Sequence, residues 1–240
     1  SASSSPLEIA AGYAVFANGG YNVSPYFVSH ITDSHGEIIF QATPKLACSD
    51  CLENSERTPH NNEIFAPQAI TSQTIYQINS ILKDVVKRGT GRRALALGRS
   101  DLHGKTGTTN DQFDAWFSGY SPAQVATAWV GFDQPQELGY GETGGRAALP
   151  MWIEYMREAL SGIPNHALPQ PSGMTTVRID PVSGKLAISG GETIFETFRT
   201  EYVPKEHAPH RPNQTLEIES NGQDSSMENL SEEPAQEELF

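Results

Sequence analysis

The most constraining feature of this chain is the string His103-Gly104-Lys105-Thr106-Gly107-Thr108-Thr109-Asn110. It is followed by Asp114-Ala115-Trp116-Phe117-Ser118-Gly119-Tyr120. A lysine, glycines and hydroxyls this close together suit two chemistries. One is a phosphate-binding loop that opens a helix. The other is a strand lining the cleft in which a serine enzyme transfers an acyl group. Spacing argues against the first. A P-loop places four residues between its first glycine and the Gly-Lys-Thr. Here the nearest upstream glycine is Gly98, and five residues separate it from Gly104. A P-loop also runs directly into a helix whose N-terminus holds the phosphate, whereas no helical period follows Thr106.

The strand reading fits better. Thr106 and Thr108 lie two residues apart and share a strand face, so both hydroxyls can address one anionic group such as a carboxylate. Gly107 leaves room for an approaching backbone. Lys105 adds a positive charge, which makes an anionic peptide terminus a natural ligand. Lys-Thr-Gly is also the third signature of penicillin-binding proteins, beside Ser-x-x-Lys and a Ser-Asp-Asn-type motif. Three residues recur by chance. Gly-Lys-Thr-Gly-Thr-Thr with Asp-Ala-Trp-Phe-x-Gly-Tyr starting nine residues after the lysine is far more specific. This pattern closely resembles the transpeptidase domain of class A, bifunctional penicillin-binding proteins of the 1A type. Two further stretches are similar to that family: Pro6 to Gly20, and the turn Arg88-Gly89-Thr90-Gly91. The resemblance spans roughly residues 5 to 200.

The resemblance implies a layered α/β (α+β) fold, an antiparallel sheet flanked by helices. This is the penicilloyl serine transferase or β-lactamase-like architecture, incomplete at its N-terminal side. It implies a C-terminal fragment of a peptidoglycan D,D-transpeptidase, which is also a β-lactam target on the periplasmic side of the bacterial inner membrane. Its implied partners are peptidoglycan stem peptides, β-lactams and the upstream half of the same polypeptide, with its glycosyltransferase; no cofactor is implied. By the same carry-over, Lys105, Thr106 and Gly107 belong to the catalytic site. Thr106, Thr108 and Thr109 bind the substrate carboxylate, and the Thr108 N–H forms half of an oxyanion hole. The nucleophilic motif is not evident. Ser80-Ile81-Leu82-Lys83 is formally a Ser-x-x-Lys, but it precedes Lys105 by only 25 residues, and no Ser-x-Asn occurs in the chain. Ser80 therefore reads as a helix surface residue, and the chain alone is expected to be inactive. Two competing readings remain: a non-catalytic fragment or interaction module, and the phosphate-binding protein weighed above.

Charge sets further bounds. The 240 residues carry −13, and residues Pro212 to Phe240 hold eight acids without a lysine or arginine. The first 211 residues thus account for −5, which suits neither nucleic acid nor a polybasic membrane surface. No apolar run approaches the ~20 residues of a membrane span. The sequence starts at a serine rather than methionine and reaches a folded element within five residues, which reads as a fragment. Composition divides it into a folded part, residues 1–203, and an acidic tail, residues 204–240, whose make-up fits disorder.

Along the chain, Ser5-Pro6-Leu7-Glu8 is a capping box. It opens a helix that ends at Asn18-Gly19-Gly20 and whose small residues suggest burial. Asp33-Ser34-His35-Gly36 joins two β-rich runs into a hairpin, and residues 42–65 read as a polar surface loop. That loop holds Cys48 and Cys51. A redox motif lacks the helix it needs, and a zinc site lacks ligands beyond His60. A local disulfide in an oxidising compartment is the favoured reading. Residues 72–88 form the clearest helix, with Ile75, Ile78, Leu82, Val85 and Val86 as its stripe. Three antiparallel strands follow, at 104–109, 115–120 and 125–132. Pro150 starts a helix, and the tryptophan-bearing segments read as core. Residues 177–180 and 185–188 read as a hairpin about Pro181-Val182-Ser183-Gly184. His207 and His210 lack further ligands, so no metal site is expected.

Overall fold

The structure, a computed structural model, describes residues 3–48 and 64–209. Helix α1 spans Pro6–Ala17. Its capping box forms as its sequence requires: the Ser5 hydroxyl accepts from the Glu8 N–H (3.3 Å), and the Glu8 carboxylate accepts from the Ser5 N–H (2.7 Å). The helix is not buried, however. Only Ala17 is enclosed, and Leu7 is 43% exposed. One flank packs on the sheet, where Tyr13 meets Tyr120 edge-on. The other flank walls an open apolar groove of about 550 Å³.

Strands β1 (His30–Thr32) and β2 (Ile38–Gln41) form the expected hairpin. Asp33 sets its turn by accepting from the N–H groups of His35 and Glu37. The polar stretch after it is not wholly irregular. Its ends, β3 (Lys45–Leu46) and β4 (Ile64–Phe65), pair in parallel. Cys48 is buried and disulfide-bonded, whereas Cys51 and His60 lie outside the described residues.

Helix α2 spans Ser72–Arg88. Thr71 caps its start, and Gly89 donates to two carbonyls at its end. It leads through the turn at Thr90 and a short helical turn, Arg92–Leu97, into the central sheet. That sheet has the order β5 (His103–Thr108), β6 (Ala115–Ser121), β7 (Gln124–Val130), all antiparallel, so β5 is an edge. Helix α3 (Leu149–Ala159) covers one face. Trp152, Met156 and Leu149 pack there with Phe117, Leu102 and Val86 as the main core. Alternation along β6 sends Tyr120 to the other face, where α1 and α2 lie: Tyr120 donates to Asn79 of α2, and the Asn79 amide donates to Phe16 O of α1 (3.4 Å). Helix, sheet and helix thus form the expected layers.

The C-terminal region differs in its pairing. The turn at 181–184 forms and returns residues 185–187 against the end of β8 (Met174–Ile179), with Ile179 opposite Leu186, and β8 also pairs over its whole length with β9 (Ile194–Arg199). Leu186 pairs on its other side with the segment around His207, exchanging bonds with Glu206 and Ala208. This pairing involves residues through Ala208. Residues 210–240, His210 among them, lie outside the description. Among the described residues, no helix is long and apolar enough to cross a membrane, and no group of side chains could hold a metal ion.

Candidate active site

Lys105 and Thr106 sit inside β5 and not at a helix start, which removes the phosphate-loop geometry. Two glycine contacts fix this strand. Gly104 lies under Phe117, whose ring would be 2.7 Å from any added Cβ. Gly144 opens a π-helical turn, Gly144–Ala148, and rests on the strand pair. A Cβ there would lie 2.2 Å from Trp116 O and 2.5 Å from Gly107 O. The Gly144 N–H donates to the Thr108 hydroxyl (3.1 Å). On the same side, the Arg-Gly-Thr-Gly turn brings the Thr90 hydroxyl within 2.7 Å of the Thr106 hydroxyl.

The free edge of β5 holds the available backbone groups. The Thr109 N–H donates to Asp114 O (3.1 Å). Paired residues alternate between bonded and unbonded along an antiparallel ladder, so the N–H groups of Thr106 and Thr108 point away from β6. The Lys105 ammonium lies at this edge too and donates to Thr106 O (2.8 Å). A cleft of about 720 Å³ adjoins it. Lys105, Thr106, Gly107 and Thr109 line the cleft, opposite Ile9 and Tyr13 of α1.

The structure thus brings four of the five expected residues to one cleft. Thr108 is the exception and does not line the cleft; its side chain, like that of Thr106, lies on the strand face opposite Lys105. The charge and the two hydroxyls do not converge on one face; they meet only across the edge. Since the Thr108 oxygen accepts from Gly144, its own proton is left to donate outward. The sequence reading missed several neighbours. Trp116 and Trp129 are not core: they are half-buried, their ring centroids 5.9 Å apart, and they line the cleft. The Asp114 carboxylate holds Trp129 by accepting from its indole N–H (2.8 Å). The register 107↔116↔129 places them behind Gly107, a signal present in the sequence once strand pairing is assumed.

Ser80 is partly enclosed and not simply on the surface. It lines a separate cavity with Lys83 and His103. Among the described residues its hydroxyl is hydrogen-bonded to neither, so the serine–base contact that activates a nucleophile is missing.

Three comparisons with known proteins bear on the family. The penicillin-binding protein transpeptidase domain matches residues 2–152. Penicillin-binding protein 1A of Pseudomonas aeruginosa is 43% identical over 230 residues, 83% of this chain and 28% of that protein. The Escherichia coli K12 protein of the same name is 36% identical over 278 residues, 90% of this chain and 32% of that one. The crystal structure of penicillin-binding protein 1A from Haemophilus influenzae superposes with a TM-score of 0.77 at 35% identity. That superposition covers 87% of this chain and 34% of the other. The chain spans about a third of the length of these relatives. It belongs to the penicillin-binding protein transpeptidase-domain family.

Proposed function

We propose that this chain is the C-terminal part of a peptidoglycan D,D-transpeptidase and supplies the strand on which the stem peptide and β-lactams lie. One observation carries the reading: the unpaired edge of β5 offers the Thr106 and Thr108 N–H groups beside the Lys105 ammonium, over an open cleft. A peptide laid along that edge extends the sheet and gains main-chain hydrogen bonds. A serine from the upstream part of the same polypeptide attacks the penultimate D-alanine carbonyl, and the terminal D-alanine leaves. An amine of a neighbouring stem then takes the acyl group and frees the serine. The Thr108 N–H stabilises the oxyanion. Lys105, with the hydroxyls of Thr106 and Thr108 and the adjoining Thr109, holds the carboxylate. The assembled enzyme works on the periplasmic face of the inner membrane, where peptidoglycan is built and where a disulfide at Cys48 persists.

Thr108→Val in the full-length polypeptide tests the site. It keeps the branched shape and removes only the hydroxyl, a bond to a charged group worth about 1.5–3 kcal/mol. Acylation by a labelled β-lactam should slow about ten- to a hundredfold, and Lys105→Ala should cost more. An unchanged rate with an unchanged melting temperature would refute the hydroxyl's role. The 240-residue chain alone should give no covalent band with labelled penicillin. A band that disappears on Ser80→Ala would identify Ser80 as a nucleophile after all.

A further inference from the structure

The cavity beside Ser80 shares no lining residue with the cleft. It lies at the other end of β5, enclosed by α2, the start of β5, the segment after α3, and β9. Its volume is about 160 Å³, enough for a compact ion with a few waters. Its polar lining includes Tyr76, Ser80, Lys83, Asp101, His103 and Thr197.

The charges in it do not balance. Asp101 is spoken for. Its carboxylate accepts from Arg99 Nε (2.9 Å) and Nη2 (2.7 Å) and from the His166 N–H (3.0 Å). Burial alone would raise Asp101, but these bonds hold it below the ordinary carboxylate value. Lys83 forms no ion pair among the described residues. His103 is only 7% exposed, and its Nδ1 is buried with no hydrogen-bond partner. A buried polar atom without a partner is costly, and such an atom calls for an explanation. Burial first, and then the field of Lys83, keep the imidazole neutral, so that it can offer an N–H without adding charge. Ser80 adds a hydroxyl with no hydrogen bond among the described residues.

We propose that this cavity binds a compact oxyanion, a carboxylate or phosphate group, held by the Lys83 ammonium, the Ser80 hydroxyl and the His103 ring N–H. Such an anion would link the C-terminal β8–β9 pair, through Thr197, to α2 and to the root of β5. The assignment does not depend on the transpeptidase reading, since the cavity lies apart from the cleft.

The test uses the 240-residue chain at constant ionic strength set with chloride. Inorganic phosphate and N-acetylglycine are titrated separately by calorimetry, with the melting temperature followed in parallel. At least one should bind saturably and raise the melting temperature, since a ligand bound only to the native state stabilises it. Phosphate as the stronger ligand identifies a free inorganic anion, and N-acetylglycine a peptide or metabolite carboxylate. Lys83→Met should weaken that binding about ten- to a hundredfold. Lys87→Met, an exposed lysine one turn on, should not change it. Ser80→Ala, a smaller change, should weaken it less and guards against misfolding in the lysine variant. Absence of saturable binding by either probe, or equal binding by Lys83→Met and wild type, overturns the proposal.

Discussion

At His103 the strand that carries the Lys-Thr-Gly motif begins with a side chain that is only 7% exposed. Its ring stacks on Tyr120, 4.9 Å between centroids and 12° from parallel. Burial, and then the Lys83 cation, lower its imidazole from an ordinary value of 6.5 to about 4. Burial also raises the Tyr120 phenol well above its ordinary value, with Tyr13 adding to the shift, so the stacked pair is uncharged at neutral pH. The unfolded chain takes up a proton at this histidine as the pH falls below about 6.5, while the native chain resists until about 4. Stability from this group is therefore complete above pH 6.5 and declines between 6.5 and 4. Below 4 it falls no further. The loss across the window is on the order of 3 kcal/mol. His103→Phe keeps a flat ring against Tyr120 but cannot titrate. Urea unfolding at pH 7.5 and 4.5 should show a much smaller fall for the variant than for wild type. Equal falls would mean that the histidine is not the titrating group.

At the scale of the element, β5 is pinned by a loop that has no secondary-structure signal of its own. Gly144 sits directly on backbone oxygens, which cannot rotate aside, whereas a Cβ on its neighbour Gly145 would meet nothing nearer than Thr90 O at 3.3 Å. Gly144→Ala should therefore push the turn off the strand and cost about 1–3 kcal/mol or more. It should also slow β-lactam acylation in the full-length polypeptide, because the Thr108 hydroxyl loses the N–H that orients it. Gly145→Ala should change both much less, as chemical unfolding and acylation rates will show. This contact explains what was legible in the sequence and what was not. Helix α2 and strands β5 to β7 were legible because apolar period, caps and turn residues all agree there. A period of two places Trp116 with Trp129 but does not say whether their face is covered, so the pair was misread as core. The alanine-rich α1 looks the same to composition whether buried or half-exposed. The pairing of β8 with β9 is non-local, and a good turn at 181–184 hid it. The cleft was readable down to Lys105, Thr106, Gly107 and Thr109. The partner of the Thr108 hydroxyl was not, because Gly144 lies 36 residues away; its facing, opposite Lys105, follows from the period of two.

At the scale of the whole molecule, one ion pair joins the sheet to the segment that leads to the C-terminal strands. Arg99 is 11% exposed and Asp101 only 3%. Arg99 grips both Asp101 oxygens and also donates to the carbonyls of Ile163 (2.6 Å) and Pro164 (3.1 Å). The Asp101 carboxylate reaches on to the N–H of His166. Removing one partner of a buried pair strands the other charge, at a cost of about 3–5 kcal/mol. Arg99→Met should accordingly destabilise the chain far more than Arg88→Met. Arg88 pairs with Asp84 on the exposed surface of α2, where a pair is worth about 0–1 kcal/mol. Arg99 also holds the link after α3 in place, so its loss should expose that link to protease before the sheet unfolds. Limited proteolysis of Arg99→Met should therefore cut within residues 161–173 under conditions that leave Arg88→Met intact. Adding Asp101→Asn removes the stranded charge and should recover part of the lost stability while leaving the link cleavable. If Arg99→Met unfolds at the same urea concentration as Arg88→Met and resists cleavage at 161–173, the pair does not hold the two parts together.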